Sequence, residues 1–186
     1  MGDWWQQVWD TVLMEFSDLP DAGQVTRVTL RLLIAAILGG VLGYEREKKG
    51  KAAGMRTHML VALGAALFIL IPQQAGVTDA DLTRVVQGLV AGVGFLGAGA
   101  IMRIGDQGEV KGLTTAAGIW LTAAIGMAAG MGREATAILC TVLALTVLAV
   151  FPKLAQSLER RDQPPNSQPP PKPDPPKSPM KQGASR

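Results

Sequence analysis

The sequence predicts an all-α fold, a polytopic membrane bundle of about five transmembrane helices. Hydrophobic residues make up 48% of the 186-residue chain, and they are concentrated between about residues 28 and 151, whereas both ends are polar. Five segments in this region approach the roughly 20 residues that a helix needs to cross a bilayer. Short charged or glycine-rich connections separate these segments.

These patterns divide the chain into three parts. We expect residues 1–24 to form an extracytoplasmic amphipathic segment, residues 25–155 the transmembrane domain, and residues 162–186 a disordered cytoplasmic tail. The spans are expected at about residues 28–44, 57–72, 85–102, 113–131 and 134–151, with Pro72 marking the end of the second.

The N-terminal segment has apolar residues at steps of three and four, which place them on one face of a helix: Trp5, Val8, Trp9, Val12, Leu13 and Phe16. Because Trp favours the boundary between apolar and wet surroundings, we expect this helix to lie on the outer membrane surface. The first residues are acidic and aromatic, and no signal peptide is expected.

The C-terminal tail is rich in proline. Nine of the 12 prolines fall between Pro164 and Pro179, among residues that bury little apolar area, so an extended, disordered tail is expected. Recognition of the tail by a proline-binding module is the alternative.

The distribution of Lys and Arg predicts the orientation, because cytoplasmic connections carry the excess of these residues. One side has ten: Arg46, Lys48, Lys49, Lys51, Arg56, Arg103, Lys111, Lys153, Arg160 and Arg161. The other side has four: Arg27, Arg31, Arg84 and Arg133. We therefore expect the N-terminus outside and the C-terminus in the cytoplasm. Arg31 either extends outward from a helix end or faces the bundle interior.

Glycines occur in pairs four residues apart, a spacing that lets transmembrane helices approach closely: Gly39 and Gly43, Gly88 and Gly92, and Gly126 and Gly130. The third span is the richest in glycine, with Gly92, Gly94 and Gly97 around Phe95. Close packing of this span is expected, and the alternative is that it lines a narrow path.

The residue types that catalysis requires are scarce. His58 is the one histidine and Cys140 the one cysteine, which excludes a zinc cluster or a Cys/His pair within one subunit. We expect no enzymatic activity, no cofactor and no nucleic-acid partner. Glu45, Glu47, Asp106 and Glu109 are weak candidates for Mg²⁺ ligands, and pairing with nearby Arg and Lys residues is the more economical account.

Four segments then identify a resemblance. Residues 39–47 (GGVLGYERE), 53–66 (AGMRTHMLVALGAA), 92–103 (GVGFLGAGAIMR) and 110–120 (VKGLTTAAGIW) resemble, in this order, the motifs of the bacterial MgtC/SapB membrane protein family. The resemblance covers about residues 25–151.

The resemblance implies a multi-pass protein of the bacterial cytoplasmic (inner) membrane. Known members support growth in low magnesium and survival in phagocytes, and they have been linked to inhibition of the F-type ATP synthase. The virulence-associated members carry a folded cytoplasmic domain after the last span. A proline-rich tail stands in its place here, so the shorter SapB-like members are the closer comparison.

We expect a non-enzymatic protein that modulates partner membrane proteins, or membrane energetics, under cation limitation or envelope stress. The alternative is a small oligomeric transporter or channel that uses the third span. A lipid bilayer, another membrane complex such as ATP synthase, and a second copy of the chain are the expected partners. The family motifs supply the functional candidates: Glu45, Arg46, Glu47, Arg56, Thr57, His58, Gly92, Gly94, Gly97, Arg103, Lys111, Thr114 and Thr115.

Overall fold

Helices account for most of the described chain. The computed structural model describes residues 2–15, 21–104 and 109–162, with side chains described for 3–15, 21–101 and 110–151. Within these ranges the helices are α1 (Gly2–Glu15), α2 (Ala22–Lys48), α3 (Met55–Gln74), α4 (Asp79–Gly99), α5 (Leu113–Gly130) and α6 (Glu134–Asp162). Five of them, α2 to α6, are long and apolar enough to cross a membrane. The all-α polytopic fold is therefore confirmed.

A short hairpin interrupts the helices, which the hydropathy pattern does not predict. Strands β1 (Met102–Ile104) and β2 (Glu109–Lys111) pair antiparallel, with Arg103 opposite Val110. The chain divides into two compact units after Leu148. The first unit holds α1 to α5, the hairpin and the first half of α6; in the second, the described residues continue α6 to Asp162.

The helices differ from the predicted spans mainly at their ends. Asp21 and Thr78 cap α2 and α4 by accepting hydrogen bonds from the amides of Gln24 and Asp81, so both helices begin earlier than hydropathy alone indicates. Helix α3 continues two residues beyond Pro72, to Gln74, and the expectation that Pro72 marks the end of the membrane span stays a prediction. Proline removes one amide donor from the helix. Because Pro72 lies two residues before the end of α3, few helical hydrogen bonds follow it.

The expectations for the two terminal segments stay predictions. All described side chains of α1 are exposed, and its position on a membrane surface is not tested by the fold. Phe16 and the tail at residues 163–186 lie outside the described residues.

Helix α3 packs between glycine faces of α2 and α5. A Cβ at Gly39 would lie 2.6 Å from the carbonyl oxygen of His58, and one at Gly43 would lie 2.5 Å from Met55 Cα. From α5, a Cβ at Gly126 would lie 2.8 Å from Ala62 Cα. The close packing predicted for these pairs is therefore confirmed. Small side chains fill the core around these contacts, with Ala35, Ala62, Ala66, Ala129 and Ala137 fully buried.

The glycines of α4 behave differently, and the expectation of close packing is wrong for most of them within one chain. Among the described residues, no neighbouring atom lies within 4 Å of a Cβ placed at Gly88, Gly92, Gly94 or Gly99. Gly97 alone among the α4 glycines meets a neighbour, Ala116 of α5, at 3.6 Å. Helix α4 packs on α5 through its last turns, so most of its glycine-rich face is left open.

Arg31 connects the far ends of three helices. Its guanidinium donates to the carbonyl oxygen of Gly130 at 3.0 Å and to Gln73 Oε1 at 3.3 Å, and its Nε lies 3.9 Å from Glu134 Oε1. Carbonyls at a helix C-terminus lack intrahelical donors, so the arginine supplies a hydrogen bond that this end of α5 needs. Arg31 thus faces neighbouring helices rather than simply extending outward.

Replacing Gly126 with alanine is expected to destabilise the bundle. The new methyl group overlaps the Ala62 carbonyl oxygen, and relieving that overlap requires α5 to move away from α3. Overpacking of this kind costs about 1–3 kcal/mol, which exceeds the helix-propensity gain of at most about 1 kcal/mol. Thermal unfolding of the protein in detergent should show a lower midpoint.

Gly64→Ala is the matched control, because Gly64 also lies within a helix but no neighbouring atom of the described residues lies within 4 Å of its Cβ position. It should leave the midpoint unchanged or raise it. A Gly126→Ala protein as stable as the Gly64→Ala protein would contradict the packing argument.

Candidate functional site

The charged connection between α2 and α3 is a hydrogen-bonded turn. The amides of Gly50 and Lys51 donate to the carbonyl oxygens of Glu47 and Arg46 at 2.9 and 3.0 Å. Gly50 has a φ of +63°, a left-handed conformation that glycine adopts without steric cost and that commonly follows a helix C-terminus. The turn therefore has a defined conformation.

Glu45 holds two cations at the end of α2. Its Oε2 accepts hydrogen bonds from the guanidinium of Arg46, and its Oε1 lies 2.6 Å from Lys49 Nζ. Arg46 is buried, with 3% of its surface exposed. A buried guanidinium without a counter-charge is strongly unfavourable, so the adjacent carboxylate is what makes this position tolerable.

Lys49 extends the same cluster to α6. Its Nζ donates to the carbonyl oxygen of Leu148 at 2.7 Å. In a regular helix this carbonyl would accept from the amide of residue 152, but that residue is proline and has no amide hydrogen. In the sequence Lys49 contributed only to the topology signal. Pro152, four residues after Leu148, was the sign that this carbonyl oxygen has no helical donor.

Glu47 has a different role from Glu45. Its Oε2 accepts from the amide of Met55 at 2.8 Å. Met55 is the first residue of α3, and the preceding residue, Gly54, has no side chain to cap the helix. A carboxylate at this end satisfies a free donor and interacts favourably with the helix dipole. Glu47 therefore fixes where α3 begins.

His58 is almost completely buried, with 1% of its surface exposed. Its Nδ1 lies 2.9 Å from the carbonyl oxygen of Gly54. Since that oxygen can only accept, Nδ1 carries a proton, and in the neutral ring Nε2 is then an acceptor. Within the described residues Nε2 has no hydrogen-bond partner, and it faces Gly118 of α5.

His58 and Arg46 share a cavity of about 420 Å³ between α2, α3, α5 and α6. Thr114 contributes a hydroxyl, and the other walls are almost wholly apolar, as at Leu42, Leu121 and Leu143. No carboxylate lies among the described side chains that line it. A space of this character accommodates apolar groups rather than a hydrated metal ion.

The remaining candidates fall into separate places. Arg56 and Thr57 are exposed at the start of α3. Lys111, Thr114 and Thr115 lie where β2 leads into α5. The candidate glycines at 92, 94 and 97 lie on another helix, α4.

The structure describes the side chains of two of the four metal candidates, Glu45 and Glu47. Glu45 is engaged by Arg46 and Lys49, as the pairing alternative predicted, whereas Glu47 accepts from the amide of Met55. The side chains of Arg103 and Glu109, and the whole of Asp106, lie outside the described residues. Among the residues that are described, no three His, Cys, Asp or Glu side chains group as metal ligands would. Binding of Mg²⁺ between the two loops stays a prediction.

Comparison with known proteins relates this arrangement to a family. Residues 32–157 match the MgtC family model. The protein SrpB of Synechococcus elongatus is 43% identical over 138 residues, which cover 68% of this chain and 76% of SrpB. The putative magnesium transporter YhiD of Escherichia coli K12 is 43% identical over 141 residues, covering 72% of this chain and 64% of YhiD.

A third relative is the protein MgtC of Salmonella typhimurium, which is 41% identical over 132 residues. That alignment covers 70% of this chain but 55% of MgtC, so the chain corresponds to little more than half of this relative. No solved structure matches the chain. The family match covers more than half of the sequence and takes in α3, α4 and α5 entirely, and on this basis the chain belongs to the MgtC family.

Proposed function

We propose that this multi-pass membrane protein is a non-enzymatic regulator that acts on a partner membrane protein under magnesium limitation or envelope stress. Membership of the MgtC family and similarity to a protein named as a putative magnesium transporter support the link to magnesium. The observation that supports the regulatory role is that the carboxylates of the α2–α3 turn bind other groups of the same protein.

Every described carboxylate near that turn is occupied by the protein itself. Glu45 binds Arg46 and Lys49, and Glu47 binds the Met55 amide. A route for Mg²⁺ needs oxygen ligands or water along its length. The cavity beside the turn instead presents Arg46, His58 and apolar walls, which favours a packed framework over a cation path through one chain.

Two exposed residues of the family motif supply a contact surface for the regulator. Arg56 and Thr57 lie at the surface beside the turn, whereas their motif neighbour His58 is buried. An exposed arginine next to a fixed turn suits contact with an acidic surface of another protein. The F-type ATP synthase, named by the family resemblance, is the first partner to test.

Transport is the second candidate, and one observation favours it. Two of the open glycines of α4, Gly88 and Gly92, line a groove of about 500 Å³ together with Phe68 and Val85. In an assembly of several copies such faces would meet and enclose a path. The name of the Escherichia coli relative agrees with this alternative.

The orientation is part of the proposal. The lysine and arginine excess at the α2–α3 turn supports its placement in the cytoplasm, with the N-terminus outside the cytoplasmic membrane. The turn would then face partners and ligands of the cytoplasm.

Liposomes containing the purified protein and a magnesium-sensitive dye distinguish the two functions. The regulator should admit Mg²⁺ no faster than protein-free liposomes, and chemical cross-linking in cells grown in low magnesium should capture a membrane complex. Influx that Gly92→Leu abolishes would establish transport instead. Gly64→Leu is the matched control, since Gly64 is a helical glycine outside α4 with open space beside it.

Substitutions in the turn should separate contact from folding. Arg56→Ala should change stability by less than about 0.5 kcal/mol, as expected for an exposed residue, and still reduce partner capture. Glu45→Gln weakens the support of buried Arg46 and should destabilise the protein, by at most the roughly 3–5 kcal/mol of a fully buried broken pair. Detergent unfolding curves and the capture assay measure both quantities.

Lys48→Ala, which removes another exposed cation of this region, controls for net charge and should retain capture. Equal loss of capture in Lys48→Ala and Arg56→Ala would reduce the role of Arg56 to general electrostatics.

Cysteine labelling tests the orientation. Lys48→Cys, in a background in which Cys140 is replaced by serine, places one exposed thiol at the turn. A membrane-impermeant maleimide added to intact cells should leave it unmodified, and disruption of the membrane should make it reactive. Labelling in intact cells would reverse the proposed topology.

A further inference from the structure

Helix α5 begins without a side-chain cap. Its N-cap residue is Gly112, which makes no side-chain hydrogen bond to the helix. The first helical hydrogen bond runs from the Ala116 amide to the Gly112 carbonyl oxygen at 2.8 Å. The amides of residues 113–115 come before it, and such groups need an acceptor from outside the helix.

The chain leaves no room for a capping side chain at this position. Gly112 has a φ of +96°, in the left-handed region, and a Cβ there would overlap the carbonyl oxygen of Ala100. Ser, Asp or Asn, the residues that usually cap a helix, are therefore excluded by the close approach of the chain after α4. Helix α5 therefore lacks a capping side chain because Gly112, which joins the hairpin to the helix, has no room for one.

A cavity of about 550 Å³, lined by polar as well as apolar groups, opens at this helix end. The α2–α3 turn contributes Lys51 to its wall, β2 contributes Lys111, and α5 contributes Thr114 and Thr115. Cations beside a helix N-terminus repel metal ions and attract anions, and the helix dipole acts in the same direction.

Thr115 provides an independent indication of a ligand. Only 5% of its surface is exposed, and it lines the cavity, yet among the described residues its hydroxyl makes none of the hydrogen bonds that other buried threonines make. Thr122 and Thr141, for comparison, donate to the carbonyl oxygens of Gly118 and Ala137. The Thr115 hydroxyl oxygen is not among the fully buried unpaired atoms of the described residues, so it is open to the cavity and is placed to donate to a group there.

The donor set fits a phosphate group. Successive amides of a helix start, a hydroxyl and ammonium groups are the donors that bind phosphate oxygens in proteins. A phosphate group on a carrier offers three acceptor oxygens and a carboxylate two, so phosphate uses a donor set of this size more fully. The cavity is also larger than one phosphate ion, so a phosphate that carries a further group can enter.

We propose that the cavity at the start of α5 binds a phosphate group, with Lys51, Thr115 and the first amides of α5 as its donors. The phosphate can belong to an anionic lipid headgroup or to inorganic phosphate of the cytoplasm. Both sources offer the same oxygens, and the experiment separates them.

The test uses the full-length protein purified in a neutral detergent. One arm counts bound phosphatidylglycerol by native mass spectrometry, with phosphatidylcholine as the control lipid. The other arm measures inorganic phosphate by isothermal titration, with sodium chloride at matched ionic strength as the control salt. Preference for phosphatidylglycerol alone assigns a headgroup, and heat from phosphate alone assigns the soluble ion.

Variants locate the site. Lys51→Gln and Thr115→Val should each weaken binding about tenfold, as expected for loss of a charged or hydroxyl donor to an anion. Lys48→Gln removes a cation that does not line the cavity and should change affinity by less than about twofold. Unfolding curves without ligand check that Thr115→Val, a change of similar shape, is folded. Lys51→Gln alters an exposed residue, so it tests the site even if the Thr115 variant unfolds.

Two results would overturn the proposal. One is that phosphatidylglycerol binds no better than phosphatidylcholine and that phosphate releases no more heat than sodium chloride. The other is equal weakening by Lys48→Gln and Lys51→Gln, which would show attraction to the general positive charge of the turn.

Discussion

The close approach of helix backbones around α3 is the constraint on which the rest of the structure depends. Gly39 and Gly43 of α2 meet one side of this helix, and Gly126 and Gly130 of α5 meet another. Ala62 is touched from both directions. In lipid there is no hydrophobic driving force between apolar helices, so van der Waals contact between closely spaced backbones must hold them together. This contact fixes the positions of the helix ends, where the charged residues lie.

Hydrogen bonding at those ends follows from the same constraint. Inside a bilayer each unpaired backbone carbonyl is costly, and two cations reach carbonyls that lack helical donors. Arg31 binds Gly130 at the end of α5, and Lys49 binds Leu148, which Pro152 leaves without a donor. Both side chains also meet a carboxylate, Glu134 and Glu45 respectively. The charges of this membrane domain therefore connect neighbouring helices.

The sequence predicted the helices well because their apolar runs are long and their interruptions charged. It also predicted the tight packing at Gly126 and Gly130, but the same spacing at Gly88 and Gly92 has open space beside it. A four-residue spacing determines that two small residues share a face; it does not determine whether a neighbouring helix reaches that face.

In the same way Glu45, Arg46 and His58 were identified as candidates from the motif, but the link from Lys49 to α6 depends on a contact between residues 99 positions apart. The cavity at α5 was not predicted, because it requires the turn, the hairpin and the helix start to meet.

The α2–α3 turn illustrates why charge in a membrane protein is more than a topology signal. A loop that only marked the cytoplasmic side would need cations and little else. Here the Lys51 amide donates to the Arg46 carbonyl oxygen, Glu47 caps α3, and Glu45 supports a buried guanidinium. These contacts hold Lys51 at the cavity of α5 and leave Arg56 exposed on the first turn of α3. Because one rigid turn positions both residues, an anion held beside Lys51 and a partner held at Arg56 would act on the same short segment of backbone. The two binding events would therefore influence each other through direct contacts within this turn. No long-range pathway through the molecule is needed to connect Lys51 with Arg56.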